Sequence, residues 1–226
     1  MLLLVMCLAA MPDAHGILAL WNDCRAGHEA DYESWYQTEH LFERLAVPGF
    51  RFGRRFQRVE GGPEYFTYYR TETPAVLTSP AYRKLLDHPT PMTERIMSET
   101  FLNMSRTVCR ISKNWGGLHG AWAVTVKLAR LDPDGPARLL AEIAGRPDVA
   151  RAEIWDADDD ITGPPTREEE LRGGDRKIAA CLVVETLRED AARRIAGDLD
   201  QALSGDALET AVYRLLCHID AKTDPA

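Results

Sequence analysis

Residues 27 to 58 read GHEADYESWYQTEHLFERLAVPGFRFGRRFQR, and two hydrophobic periods meet inside them. Tyr32, Trp35, Phe42, Leu45 and Ala46 recur at helical spacing among charged residues, which predicts an amphipathic helix over Gly27 to Val47. Pro48-Gly49 stops it, because proline lacks the N–H that a helix needs and glycine accepts the backbone turn that follows. From Phe50 to Arg58 the period falls to two, with Phe50, Phe52 and Phe56 on one side and Arg51, Arg55 and Gln57 on the other, as in a half-buried strand.

Outward from this pair the chain continues in the same grammar. A strand with Trp21 (Ile17 to Asp23) precedes the helix, and the turn Glu60-Gly61-Gly62-Pro63 leads into an aromatic strand, Tyr65 to Glu72. Helices follow at Thr73 to Asp87 and, past His88-Pro89-Thr90-Pro91, at Met92 to Leu102, before a strand over Ser105 to Ile111. Strand, helix, hairpin, helix, strand is the split βαβ order. After a linker at Lys113 to Gly117 the order recurs: strand Ala121–Leu128, helix Pro136–Ala144, strands Val149–Trp155 and Lys177–Glu185, helix Glu189–Leu203 and strand Thr210–Ile219. An acidic, solvated loop is expected over Asp156 to Asp175. The predicted class is α+β, as tandem ferredoxin-like βαββαβ repeats whose two antiparallel four-stranded sheets pack as an α+β barrel. The expected parts are an N-terminal extension (residues 1–15), a first half (16–112) and a degenerate second half (113–226). Two sheets that cover each other leave a ligand space between them, which is where a cavity is expected.

Composition narrows the functions. The 226 residues carry 27 Lys plus Arg against 35 Asp plus Glu, and a net charge of −8 repels nucleic acid and anionic lipid. Neither is expected as a partner. Five cysteines, odd in number and without C-x-x-C spacing, argue against a disulfide framework or a zinc site and for reduced thiols in a cytoplasm. Leu2 to Ala10 is apolar but follows no basic residue and is too short to span a membrane, so a functional start at Met11 is expected, with a cleaved signal as the alternative. No Walker, dinucleotide, nucleophile-elbow or H-E-x-x-H motif is present, and the six histidines are scattered, so neither metal nor other cofactor is expected.

The run Trp35-Tyr36-Gln37-Thr38-Glu39-His40, closed by Val47-Pro48-Gly49-Phe50, resembles the dimeric α+β barrel superfamily, and within it the EthD-like proteins and their tandem relatives. The stretches Leu77 to Tyr82 and Pro89 to Thr93 are similar to the same tandem group, whereas the second half matches only in its pattern of elements. The resemblance implies a cofactor-independent small-molecule enzyme performing isomerase, cyclase or decarboxylase chemistry on an aromatic or carboxylated substrate; the alternatives are a non-catalytic ligand-binding module and a haem-binding barrel. It implies His40 as general acid/base, and imidazole titrates near neutrality. Tyr36, four residues earlier, shares its helix face. On the helical wheel His40 nevertheless falls roughly 140° from Trp35, on the side assigned to solvent, and Trp35 reads as core as readily as substrate platform. Arg51, Arg55, Tyr69 and Arg106 are the expected substrate-binding residues, the arginines pointing between the sheets if the phenylalanines meet the helices. The tandem chain is expected as a monomeric internal pseudo-dimer or a homodimer.

Overall fold

Alternation in Phe50–Arg58 becomes a strand, but one with a fault in it. In the computed structural model, which describes residues 15–130, 135–158, 164–203 and 205–222, strand β2 (Phe50–Glu60) bulges at Arg51. The extra residue reverses the phase after Phe50. Phe50 therefore packs outward under helices, while Phe52 and Phe56 turn to the opposite face. The expected start at Met11 and the N-terminal extension, apart from His15, lie outside the described residues.

The remaining strands are β1 (Gly16–Cys24), β3 (Tyr65–Thr71), β4 (Phe101–Gly116), β5 (Trp122–Leu128), β6 (Val149–Ala157), β7 (Ala180–Thr186) and β8 (Ala207–Asp220). They close into one barrel in the order β1-β3-β2-β8-β5-β7-β6-β4, all neighbours antiparallel. Each half contributes its strands in the same sequence, β4-β1-β3-β2 and β8-β5-β7-β6. The halves do not simply stack face to face, as expected; they share hydrogen bonds along two seams. β2 pairs with β8 from Phe52↔Asp220 to Glu60↔Val212, and β4 with β6 from Cys109↔Ala157 to Gly116↔Arg151. Both seams consume backbone groups that an open sheet would leave bare at its edges. Lys113 to Gly116, expected as linker, is the end of β4 for this reason. Gly116 sits at φ 81° with Ala150 O 2.5 Å from where a Cβ would be, so the seam closes only over a glycine.

Side chains fill the barrel. Trp21 stacks on Phe66 at 5.0 Å, Phe66 on Phe56 at 5.5 Å, and Tyr68 meets Trp155 at 5.1 Å, with Tyr213 beside them. The ligand space expected between the sheets is taken up by this cluster, as the bore of an eight-stranded barrel allows. One end of the bore holds a buried ionic network. Arg54 pairs with Glu185 and donates to Gly120 O at 2.7 Å; Arg151 donates to Glu185 at 2.7 Å and to the Tyr68 hydroxyl at 2.6 Å; Tyr68 in turn donates to Glu185 at 2.8 Å. Arg54, which sequence reading passed over, thus faces inward, and Arg55 faces out. Burial pushes the Glu185 carboxyl up, but His119, Arg151 and Arg54 outweigh it and hold it well below the usual carboxylate range.

Helices coat the outside. Over β1–β4 lie α1 (Glu29–Trp35), a wide turn (Tyr36–His40), α2 (Leu41–Leu45), α3 (Pro80–Asp87) and α4 (Pro91–Glu99). Ser79 and Thr90 cap α3 and α4, accepting from the backbone N–H groups of Tyr82 and Thr93, each with proline at the first helical position. The stretch Pro74–Thr78 is a 3₁₀ turn rather than the start of α3. Over β5–β8 lie α5 (Gly135–Ala144) and α7 (Glu189–Ala202), burying Leu140, Ile143, Ile195 and Leu199 against Val124, Val126 and Leu182. No described helix is long and apolar enough to cross a membrane.

Removing Glu185 strands two buried guanidinium groups, so Glu185→Ala should lower unfolding free energy by about 3–5 kcal/mol, read by chemical denaturation. Because the folded carboxyl titrates below its unfolded value of 4.5, its contribution is full above that pH and disappears as pH falls further. Glu185→Gln should therefore flatten the acid limb of the stability profile.

Candidate functional site

The first helix is interrupted where the W-Y-x-x-E-H run lies. Leu41 N–H bonds to Tyr36 O, five residues back, so Tyr36–His40 forms a π turn. Thr38 Oγ1 donates to Ser34 O at 2.8 Å inside this turn, a side-chain bond that competes with the regular ladder. The added residue per turn cancels the offset of the ideal wheel. His40 comes round beneath Trp35, ring centroids 4.0 Å apart, and meets Tyr36 edge-on at 5.1 Å. It is 3% exposed, whereas Phe42, read as core, is 51% exposed. Solvent placement of His40 is thus overturned by helix geometry. Trp35 is held from behind, donating Nε1–H to Thr93 Oγ1 at 2.9 Å, and Thr93 and Thr90 both donate to Glu39 at 2.8 and 2.5 Å.

His40, Tyr36, Tyr69, Arg44, Tyr82 and Arg106 line a small cavity of about 10 Å³ between β1 and the helices, closed by Met97, Met104 and Phe101. It lies outside the barrel wall, in the layer under the helices, not between the sheets. Space for about one water-sized group remains. Among the described residues, three buried polar atoms here have no hydrogen-bond partner: His40 Nδ1, the Tyr69 hydroxyl and Arg44 Nη1. Burial first, and then the positive charges of Arg44, Arg172 and Arg55, hold His40 well below the ordinary imidazole range. At neutral pH the ring is therefore uncharged and able to accept a proton. Burial also raises the Tyr36 and Tyr69 hydroxyls, so both remain donors.

The roof comes from the second half. Residues 164–177, expected as part of a solvated loop, cross onto the first half. Thr166 caps the short helix α6 (Arg167–Leu171), which presents buried Glu168 to Arg44; Arg172 lies 3.6 Å from Glu168 and is gripped by Asp175 at 2.8 and 3.1 Å. Arg83 of α3 donates to Pro164 O at 2.8 Å and Pro165 O at 3.2 Å, pinning the segment's start. A cleft of about 520 Å³ opens between this segment and α3, lined in part by Leu77, Leu86, Val108, Arg106 and Lys177. Arg106 lines both cleft and cavity.

Of the residues singled out in the sequence, the structure gathers His40, Tyr36, Tyr69 and Arg106 at one cavity, with Trp35 behind the imidazole. Two arginines are elsewhere. Arg55 does not point between the sheets: it donates to both oxygens of Glu33 at 2.6 and 2.9 Å and lies 4.2–5.0 Å over the rings of Tyr36, Tyr65 and Tyr32. Arg51 is an exposed bulge residue 3.3 Å from Glu72. The sequence reading missed Arg44, taken as a surface neighbour of His40, and Tyr82, Glu168 and Arg172. Among the described residues no three His, Cys, Asp or Glu come together as a metal site. Nor do the residues fit haem: His40 is sandwiched by aromatic rings beside about 10 Å³ of space, and the layer over β5–β8 is packed with aliphatic side chains.

No protein family's sequence profile matches the chain, and no curated protein matches it significantly. Solved structures do. A protein described as anthrone oxidase-like superposes with a TM-score of 0.60 at 10% identity, covering 96% of this chain and 98% of the other. A candidate monooxygenase from Fusobacterium nucleatum subsp. nucleatum follows at 0.56 and 9%, covering 95% and 100%, and a mutant chlorite dismutase from Candidatus Nitrospira defluvii at 0.51 and 8%, covering 92% and 93%. The chain has the fold of these α+β barrels. At such identities the likeness is one of fold alone.

The folded His40 titrates below its unfolded value of 6.5, so its contribution to stability is complete above that pH and falls away as pH drops toward the folded value. Denaturation at about pH 7.5 and about pH 5.5 should show this loss in the natural protein and a smaller one in His40→Leu.

Proposed function

We propose that the chain is a cofactor-independent small-molecule enzyme in which His40 removes a proton from an aromatic or carboxylated substrate. What supports this reading above all is a neutral, unpartnered imidazole fixed between two aromatic rings, with a buried arginine beside it. A base held this way has no competing hydrogen bond at Nδ1 to break before it accepts a proton. The anion left on the substrate would meet Arg44 Nη1 and the Tyr69 hydroxyl, the other two unpartnered donors, and such preorganised donors favour charge that develops during reaction. Tyr36 orients the imidazole through its ring edge and can return a proton. A carbanion or enolate so formed can be reprotonated elsewhere, close a ring or lose carbon dioxide, which are the isomerase, cyclase and decarboxylase outcomes. Anthrone-type ketones, acidic at a carbon flanked by two aromatic rings, belong to the same substrate chemistry and agree with the description of one structural neighbour. Entry to the cavity would pass the flexible thioethers of Met97 and Met104.

In this reading the halves 16–112 and 113–226 are tandem ferredoxin-like repeats, the common strand order being the support, and only the first keeps a site. An EthD-like ancestry, a cytoplasmic setting and an internal pseudo-dimer belong to the same proposal; the unpaired Cys24, Cys109, Cys181 and Cys217 agree with a reducing compartment.

Deuterium uptake tests the base without knowledge of the later steps. In D2O, NMR of a panel of small aromatic ketones and keto acids should show exchange at the acidic carbon catalysed by the full chain. His40→Asn should slow it by about 100-fold or more, with melting temperature little changed. Exchange that proceeds equally in the variant would remove His40 from the mechanism.

A further inference from the structure

The crossing segment does more than cover Arg44. Arg176 forms a parallel bridge with Ser105: Arg106 N–H donates to Arg176 O at 3.0 Å, and Arg176 N–H to Met104 O at 3.1 Å. One step along this register sets Arg106 beside Lys177, and Ile178 N–H reaches Thr107 Oγ1 at 3.2 Å a step further. Two cations are thus neighbours across a strand pair, an arrangement that is unfavourable unless negative charge lies between them. Glu168 and Asp175 are already engaged by Arg44 and Arg172. Among the described residues Arg106 has only the Tyr82 hydroxyl, at 3.2 Å, and Lys177 has no carboxylate at ion-pair distance. Glu169 is the one acidic residue on the cleft wall. Burial, and then the charge of Arg106, lower the Lys177 ammonium from its ordinary range, as expected where a second cation is close.

Beneath the pair the cleft is apolar, offering Leu77, Leu86 and Val108. Its volume of about 520 Å³ falls in the range of small-molecule sites.

We propose that this cleft is a carboxylate receptor, in which Arg106 and Lys177 clasp the carboxylate of a small aromatic acid whose ring lies on Leu77, Leu86 and Val108. The proposal rests on the enzymatic reading above and deepens it: the substrate class is an aromatic monocarboxylate, and the receptor is assembled from both halves of the chain. Arg106, shared by cleft and cavity, directs the acid's far end toward His40. Anion binding also ties the crossing segment to β4, because its two anchoring cations belong to those two elements.

The probe is 2-naphthoate, with neutral 2-naphthamide as control, titrated into the full chain by calorimetry. The naphthoate should bind saturably and at least about tenfold more tightly than the amide, with affinity falling as salt rises. Lys177→Gln, an exposed substitution, should weaken naphthoate by about tenfold and leave amide binding and melting temperature unchanged. Arg106→Gln should act in the same direction, its fold checked by the same melt. Equal binding of acid and amide, no binding of either, or an unaltered affinity in Lys177→Gln would overturn the receptor. His40→Asn should bind naphthoate as the natural protein does. Loss of exchange with retained naphthoate binding upholds both assignments; naphthoate discrimination alongside unimpaired exchange in His40→Asn upholds the receptor and removes the base.

Discussion

An eight-stranded barrel has a bore wide enough for side chains and little else, and in this chain that bore is full. Closure depends on the two seams, β2 with β8 and β4 with β6, and on glycines where the strands approach most closely. With Trp21, Phe56, Phe66, Tyr68, Trp155 and Tyr213 inside, any ligand has to find room on the outer surface of the wall, under the helices. The two outer layers have gone separate ways. Over β5–β8 the layer is aliphatic and packed. Over β1–β4 it holds histidine, tyrosines and arginines around a remnant of space.

Placing a histidine in that layer is costly for folding, since an unpartnered imidazole loses its hydration there. The π turn makes the placement possible without displacing Trp35 or Leu45 from the core, because one extra residue in the turn shifts only what lies within it. Electrostatics then settle the ring's state. Arg44 and Arg172 stand near it, their charges balanced by Glu168 and Asp175 rather than by the histidine. The ring consequently stays neutral in a positive field, a combination suited to accepting a proton and then giving it up.

Most of the architecture was legible because hydrophobic period and turn chemistry are local. The eight strands were all read, several a few residues short, and the caps at Ser79 and Thr90 sit at the S-P and T-P steps. What escaped is what depends on one added residue or on distant pairing. A bulge at Arg51 exchanged the roles of Arg54 and Arg55, and a π turn moved His40 inward and Phe42 outward; a strict period of two or 3.6 registers neither. The seam through Lys113–Gly116 resembles a Gly-rich linker because its strand partner lies more than thirty residues on. Glu168 was invisible for the same reason, an acidic residue in an acidic loop whose partner, Arg44, stands 124 residues before it.

That last separation bears on how the molecule comes into being. The first half leaves the ribosome with β2 and β4 as bare edges and Arg44 without its carboxylate. β6, the roof at 164–177 and finally β8 follow, in that order. At ordinary rates of synthesis the interval between Gly116 and Asp220 is roughly 5 to 20 s. For that time the nascent chain presents two open strand edges and an uncovered aromatic pocket, the kind of surface that chaperones recognise. Completion of the site and disappearance of the sticky edges are therefore one late event, and a chain truncated within its second half is left with neither.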